Sequence, residues 1–293
     1  MLEAHTPQRT TELWLAAAEK KHAEGWMLAF PKAVMGGILL SFGAMVSLMV
    51  GGGSHGLATD NPGLNKLITA AIFPIGLIMI ILTGSELVTS NMAVFVVSTL
   101  RRRTPWWSYP ANILPVFLGN LAGSLIVAGL FAKSSGIFDA DPYRSYVITF
   151  ATNKLHPNWG QIFVKGIACN FLVCVAVFQA TAARDLISKV VAAELPVFVF
   201  VCLGYDHVVA NMLFIPLGLM LGADFGSGYY IYKSMIPAFL GNAVGAALLA
   251  MPLTLFFLTG SKSSSGAGGL VARTDEEARV DSAGSSVSGL GKE

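Results

Sequence analysis

The sequence predicts an all-α membrane protein with six transmembrane helices, arranged as two inverted halves of three spans with the second and fifth helices broken. Composition, the lengths of the apolar runs and an internal repeat carry this expectation. Of 293 residues, 54% are apolar and only 12% charged, with a mean hydropathy of +0.64, against roughly 25% charged residues in a soluble domain. The net charge of +2 is too small and too scattered for a nucleic-acid partner. Cys169, Cys174 and Cys202 lie inside apolar runs without metal-ligand or disulfide spacing, so they are read as small buried hydrophobes.

Residues 1–25 form a cytoplasmic N-terminal segment. In it Leu13, Trp14 and Ala17 share one helical face and Glu12, Glu19 and Lys20 another, which fits an amphipathic helix on the membrane surface and equally a solvated helix. The four glutamates among these residues, and the lack of a short apolar core with a cleavage site, argue against a secretory signal.

Residues 26–260 are expected to form one six-span domain. Its apolar spans fall at 27–50, 67–98, 110–131, 160–181, 190–222 and 235–258, each at least the roughly 20 residues a bilayer core requires. The second and fifth are too long: a continuous helix of about 32 residues measures about 48 Å against a hydrocarbon core of about 30 Å. Both carry glycine, a carboxylate and asparagine near the middle, so both are expected to break there, where non-helical backbone survives only beside a cavity. The connection from Gly51 to Asn65 is expected to be a loop.

Arg101-Arg102-Arg103 and the Arg184/Lys189 pair fall in alternate loops, which are expected to be cytoplasmic; with six spans both termini then face the cytoplasm. The Ser/Gly-rich tail, 261–293, cannot bury enough apolar surface to fold alone and is expected to be cytoplasmic and disordered.

The chain also repeats itself. Gly84-Ser85-Glu86-Leu87-Val88-Thr89-Ser90-Asn91-Met92 matches Gly204-Tyr205-Asp206-His207-Val208-Val209-Ala210-Asn211-Met212 at an offset of 120, and Pro115 to Gly123 matches Pro237 to Gly245 at an offset of 122. Halves of three spans must run in opposite directions, so the broken helices of each meet near the midplane and build a conduction path. An acid beside a histidine at that depth is costly unless it faces a cavity or partner. Because its ordinary pKa lies nearest working pH, His207 is suited to passing a proton to whatever occupies that path, or to stabilising it.

These residues resemble the formate/nitrite transporter family. The first family signature is recognisable in Ile81 to Ser90, with Val88 where Phe or Ile is usual. The second is recognisable in Gly166 to Ala176, and the run around His207 to Gly218 is similar, with Asp206 where glutamate is usual. The resemblance covers about 25–258. It implies an aquaporin-like fold, a homopentamer with one pore per protomer, and transport of small monovalent anions such as nitrite and formate, proton-coupled or as the neutral acid. No Asn-Pro-Ala box is present, which argues against an aquaporin itself.

By the resemblance, His207 is the central pore histidine, Thr89 faces it from the other broken helix, and Lys154 attracts the anion near the outer mouth; its position alone also fits a loop lysine. Asn170 and Asn211 are expected near the pore, whereas Asn120 and Asn242 are expected to pack helices. Glu86 and Asp206 are read as acceptors that hold the two loops. Spacing within the matched segments places Phe73 and Leu77 at an outer constriction and Leu87 with Phe200 at an inner one, with the smaller Val88 widening the inner slit; as core residues these side chains would look the same. His5, His22, His55 and His156 are expected to be solvated.

No cofactor, metal site or enzymatic turnover is expected; the partners are the anion, protons and the lipid bilayer, in the plasma membrane. The tail and the Asp206 and Val88 departures point to a eukaryotic member, with nitrite as the first expectation. Hydrosulfide or lactate specificity on the same scaffold, or a sensor with a vestigial pore, are the alternatives.

Overall fold

The computed structural model describes residues 3–259, and all regular structure there is helical. The predicted tail therefore lies outside the described residues. The first helix, α1, runs Pro7–Gly53 and bends at Gly25, whose positive φ of 71° breaks the helical course. Thr6 starts it by accepting from the Arg9 N–H, with Pro7 in the first turn, where its missing N–H is no loss.

Ahead of the bend, α1 packs on the protein's own helices, unlike the surface-lying or solvated helix expected from its sequence. Trp14 is buried, donates through Nε1 to Thr181 Oγ1 at 3.2 Å and meets Phe178 edge-on. Lys21 pairs with Glu86 and Arg103 with Glu19. His22 is half-buried, 2.9 Å from Ser108 Oγ through Nδ1, so the solvated reading is corrected at this histidine. His156 is exposed.

The expected loop after the first span is largely helical: α2 spans His55–Asp60 and α3 spans Pro62–Ile72. With α4, Ile75–Thr83, the last of these makes the first part of the second apolar run. The chain then leaves the helix at Gly84, φ 68°, extends through Leu87 and resumes as α5, Val88–Leu100. The fifth run breaks in the same way. Helix α9, Leu186–Cys202, gives way at Gly204, φ 71°, and α10, Val208–Leu221, begins after His207. The same backbone hydrogen bond closes both breaks, Ser85 N–H to Ile80 O at 3.1 Å and Tyr205 N–H to Phe200 O at 3.0 Å. Glycine suits both positions because a side chain there would strain the left-handed backbone.

Helix α6 spans Ser108–Ile126 and continues as a π-helical stretch, Val127–Lys133. The unforeseen α7, Tyr143–Asn153, delivers Lys154 at its C-terminus. Helix α8, Trp159–Ala182, starts from a reciprocal Asn158–Gln161 capping box. The short α11, Ser227–Tyr230, and a π-helical stretch lead into α12, Ile236–Leu258. Among the described residues, Pro7–Gly53, Pro62–Thr83, Ser108–Lys133, Trp159–Ala182 and Ser227–Leu258 are long and apolar enough to cross a membrane by length and composition. The remaining expected span is the broken pair α9 and α10. Outward residues such as Leu114, Leu118, Leu248 and Phe256 are exposed, an apolar surface suited to hydrocarbon or to another subunit.

Helices α6 and α12 approach α1 and α8 to backbone contact. A Cβ on Gly123 would meet Val34 O at 2.1 Å, and one on Gly245 would meet Ile167 O at 2.2 Å. The helix-packing expectation for these Leu-Gly-Asn segments therefore holds for their glycines. Gly119 opposes Phe30 O just as Gly241 opposes Phe163 O. The four partners align α1 with α8 at an offset of 133, a stretch of the repeat that also matches Lys21 to Lys154, Trp26 to Trp159 and Lys32 to Lys165.

Candidate functional site

The N-termini of α5 and α10 bring two buried side chains together. Thr89 Oγ1 lies 2.9 Å from His207 Nε2. The Ala210 N–H donates to His207 Nδ1 at 3.1 Å, which leaves the neutral ring its proton on Nε2, donating to the threonine hydroxyl. A second proton on Nδ1 would set N–H against N–H and release the start of α10. At the equivalent repeat position Leu87 precedes α5, so one imidazole serves both halves. Both helix N-termini turn their positive dipole ends toward this centre.

Two asparagines hold the broken loops, which corrects the packing role expected for their side chains. Asn120 Oδ1 accepts from Val88 N–H at 2.9 Å, while Nδ2 donates to Ala33 O at 2.8 Å and Glu86 O at 2.9 Å. Asn242 repeats the pattern with Val208 N–H at 2.9 Å, Gly166 O at 2.8 Å and Asp206 O at 3.0 Å. The orphan backbone groups of a broken helix are thus paired inside the protein, as lipid demands. Asn170 donates to Thr89 O at 3.1 Å and Asn242 O at 2.7 Å, tying the centre to the second loop.

The loop carboxylates are also paired alike. Asp206 accepts from Lys154 Nζ at 3.1 Å and from Asn211 Nδ2 at 3.2 Å, and Lys154 also reaches Tyr205 O at 3.3 Å. Glu86 accepts from Asn91 Nδ2 at 2.6 Å and pairs with Lys21. Lys21 was not singled out in the sequence; the 133-residue register was the signal that would have found it.

A chamber of about 450 Å³ is lined by Lys154, Asp206, Asn211 and His207 and ends against Phe73 and Phe200. Beyond it is a void of about 10 Å³, bounded by Leu77, Leu87, Phe73, Phe200 and His207, about the least that holds one water. The expected pairing of constriction residues changes here. Phe73 and Phe200 form one wall, edge to face at 5.9 Å, because Phe200 also stacks on His207 at 6.0 Å. Leu77 and Leu87 line only the smaller void. Val88 is fully buried and lines neither, so the expected widening of the slit does not arise. Among the described residues no cluster of three His, Cys, Asp or Glu could hold a metal.

Residues 8–256 match the family model described as formate/nitrite transporter. The chain belongs to the formate/nitrite transporter family. A probable formate transporter of Methanothermobacter thermautotrophicus is 33% identical over 257 residues, covering 83% of this chain and 93% of its own. A formate-nitrite transporter of Entamoeba histolytica is 33% identical over 248 residues, covering 84% and 69%. A solved pentameric formate channel with formate bound superposes with a TM-score of 0.69 at 30% identity, covering 80% of this chain and 98% of that one. A second solved structure, an ion channel of the same family, gives a TM-score of 0.74 at 25% identity, covering 83% and 97%. This formate/nitrite transporter family member is accordingly an all-α membrane protein of a channel-type transport family.

Proposed function

We propose that the protein is a six-span, homopentameric channel for small monovalent anions, formate and nitrite, which cross its centre as the neutral acid. The observation that carries this reading is the buried Thr89–His207 pair behind a dry phenyl wall, with an ion-paired lysine at the mouth. A bare anion is expensive in a low-dielectric bore, and protonation removes most of that cost. His207 holds the first turn of α10 with Nδ1, and loss of its Nε2 proton would leave an imidazolate. On this reading the anion takes its proton from hydronium that reaches the chamber, which leaves water behind, and His207 acts by orientation in place of proton passing: its Nε2–H fixes the Thr89 oxygen and turns the hydroxyl hydrogen outward to the passing acid.

Lys154 attracts the anion electrostatically. Phe73, Phe200, Leu77 and Leu87 exclude hydrated ions, and Glu86 and Asp206 keep the loops in place. The Arg101–Arg103 and Arg184/Lys189 loops support an orientation in a plasma membrane with both termini and the Lys21 end cytoplasmic and the Lys154 chamber outside.

Uptake of labelled formate and nitrite into proteoliposomes over a range of external pH tests this, with wild type compared with His207→Asn and Lys154→Ala. Uptake rising steeply as pH falls, and lost in His207→Asn, is the expected result. Uptake independent of pH and equal in all three proteins would overturn it.

A further inference from the structure

We propose that Lys165 is the core of an anion-holding subsite in the outer part of the Lys154 chamber, where a small monovalent carboxylate or oxyanion rests before it reaches Lys154. The inference extends the transport reading and starts from a mismatch between the two halves. At the 133-residue offset Lys165 corresponds to Lys32, and Pro157 corresponds to Glu24. In the first half Lys32 Nζ pairs with Glu24 Oε2 at 2.7 Å. In the second half Pro157 lines the same chamber as Lys165 and can supply no charge. The repeat thus keeps the cation and omits its carboxylate on the side where the lysine borders this chamber.

Lys165 is half-buried on α8, and no ion pair or hydrogen bond engages it among the described residues. It faces the chamber, whereas its neighbour Val164 points outward at 62% exposure, so it is not a lysine that snorkels along lipid. A charge held there without a counter-ion is costly, and an anion entering the chamber offsets that cost. Lys154 cannot do this alone because Asp206 already compensates it. Lys66, exposed and also without an ion pair among the described residues, lines the same chamber. Three ammonium groups against the one carboxylate of Asp206 leave an excess of two positive charges.

Two buried carbonyl oxygens add a second, independent observation. Asn65 Oδ1 and Asn211 Oδ1 have no donor partner, and both residues line this chamber. Asn65 is only 8% exposed. Both oxygens are closed off from the open space, so an O–H reaches either one only after its side chain turns toward the chamber, while the lysines hold the anion directly.

The test is formate uptake at low and high ionic strength by wild type, Lys165→Gln, Lys165→Arg and Pro157→Glu. Lys165→Gln is expected to raise the half-saturation concentration about tenfold at low salt with the maximal rate unchanged, fading at high salt as screening removes the attraction. Lys165→Arg should stay near wild type. Pro157→Glu, which restores the missing internal partner, should behave like Lys165→Gln. An unchanged half-saturation in Lys165→Gln at both salt levels overturns the subsite. If wild type moves no formate, the transport reading fails by itself, and thermal unfolding in detergent decides the subsite. Stabilisation by formate in wild type but not in Lys165→Gln upholds it, and equal response of the two proteins overturns it.

Discussion

Replacing Asn242 by leucine keeps the side-chain volume and removes three hydrogen bonds at once. The Val208 N–H and the Gly166 and Asp206 carbonyls lose their partner in a buried setting. Hydrogen bonds between helices in a membrane average about 0.6 kcal/mol and reach about 1.7, so three of them put the loss at about 2–5 kcal/mol. Because leucine leaves no void, no cavity contribution adds to it. Asn120→Leu removes the equivalent three bonds on the other loop and should lose a similar amount. Reversible unfolding in mixed micelles, followed by circular dichroism, measures both. Anion uptake should fall with Asn242→Leu beyond what stability explains, because the freed loop carries His207. A loss under about 1 kcal/mol in either variant, or a large loss in one alone, would refute the view that these amides clamp equivalent breaks.

Thr89→Val leaves the His207 Nε2–H without its acceptor; an unsatisfied buried donor costs about 1–3 kcal/mol, so uptake should fall about 10- to 100-fold, while Thr89→Ser keeps most of it. Lys154→Met strands the Asp206 carboxylate, and the stability lost, about 3–5 kcal/mol, should largely return in Lys154→Met/Asp206→Asn without recovery of anion uptake. Glu24 lies ahead of the Gly25 bend, and the hydrogen bond from Lys32 holds its carboxyl below the ordinary glutamate range. A depressed folded value means the pair stabilises the helix packing above the unfolded value and loses that contribution as pH falls through the folded one. Proteolysis of the N-terminal helix should therefore quicken in acid for wild type and change less with pH in Glu24→Gln.

The breaks in the second and fifth runs were legible because glycine, acid and asparagine recur at one offset, and the structure brings Thr89 and His207 together across them. The match of α1 to α8 was not, because its offset is 133 and its fixed points, two lysines, a tryptophan and a phenylalanine, are separated by interchangeable apolar residues. Lys21 and the Lys32/Lys165 contrast stayed hidden with it. Asn120 and Asn242 were read as packing residues because neighbouring glycines do mediate packing; the reach of an amide to a distant loop is a three-dimensional fact. Spacing within the matched segments put Phe73 and Phe200 at two separate constrictions and could not tell that the two rings meet in one wall. Helix α7 was missed because its mixed aromatic and polar residues show no clear apolar face.

With both loops clamped by asparagine and α6 and α12 locked to their neighbours at glycine, the main chain has little freedom along the route. On the transport reading proposed above, the parts left to adjust are the Phe73 and Phe200 rings, and turning a ring would displace a handful of atoms. The area the molecule occupies in the bilayer plane is then the same whether the route is open or shut. Work against lateral tension is tension multiplied by change in area, so flux through this protein should be indifferent to membrane stretch and to acyl-chain length, in contrast with carriers that rock whole domains.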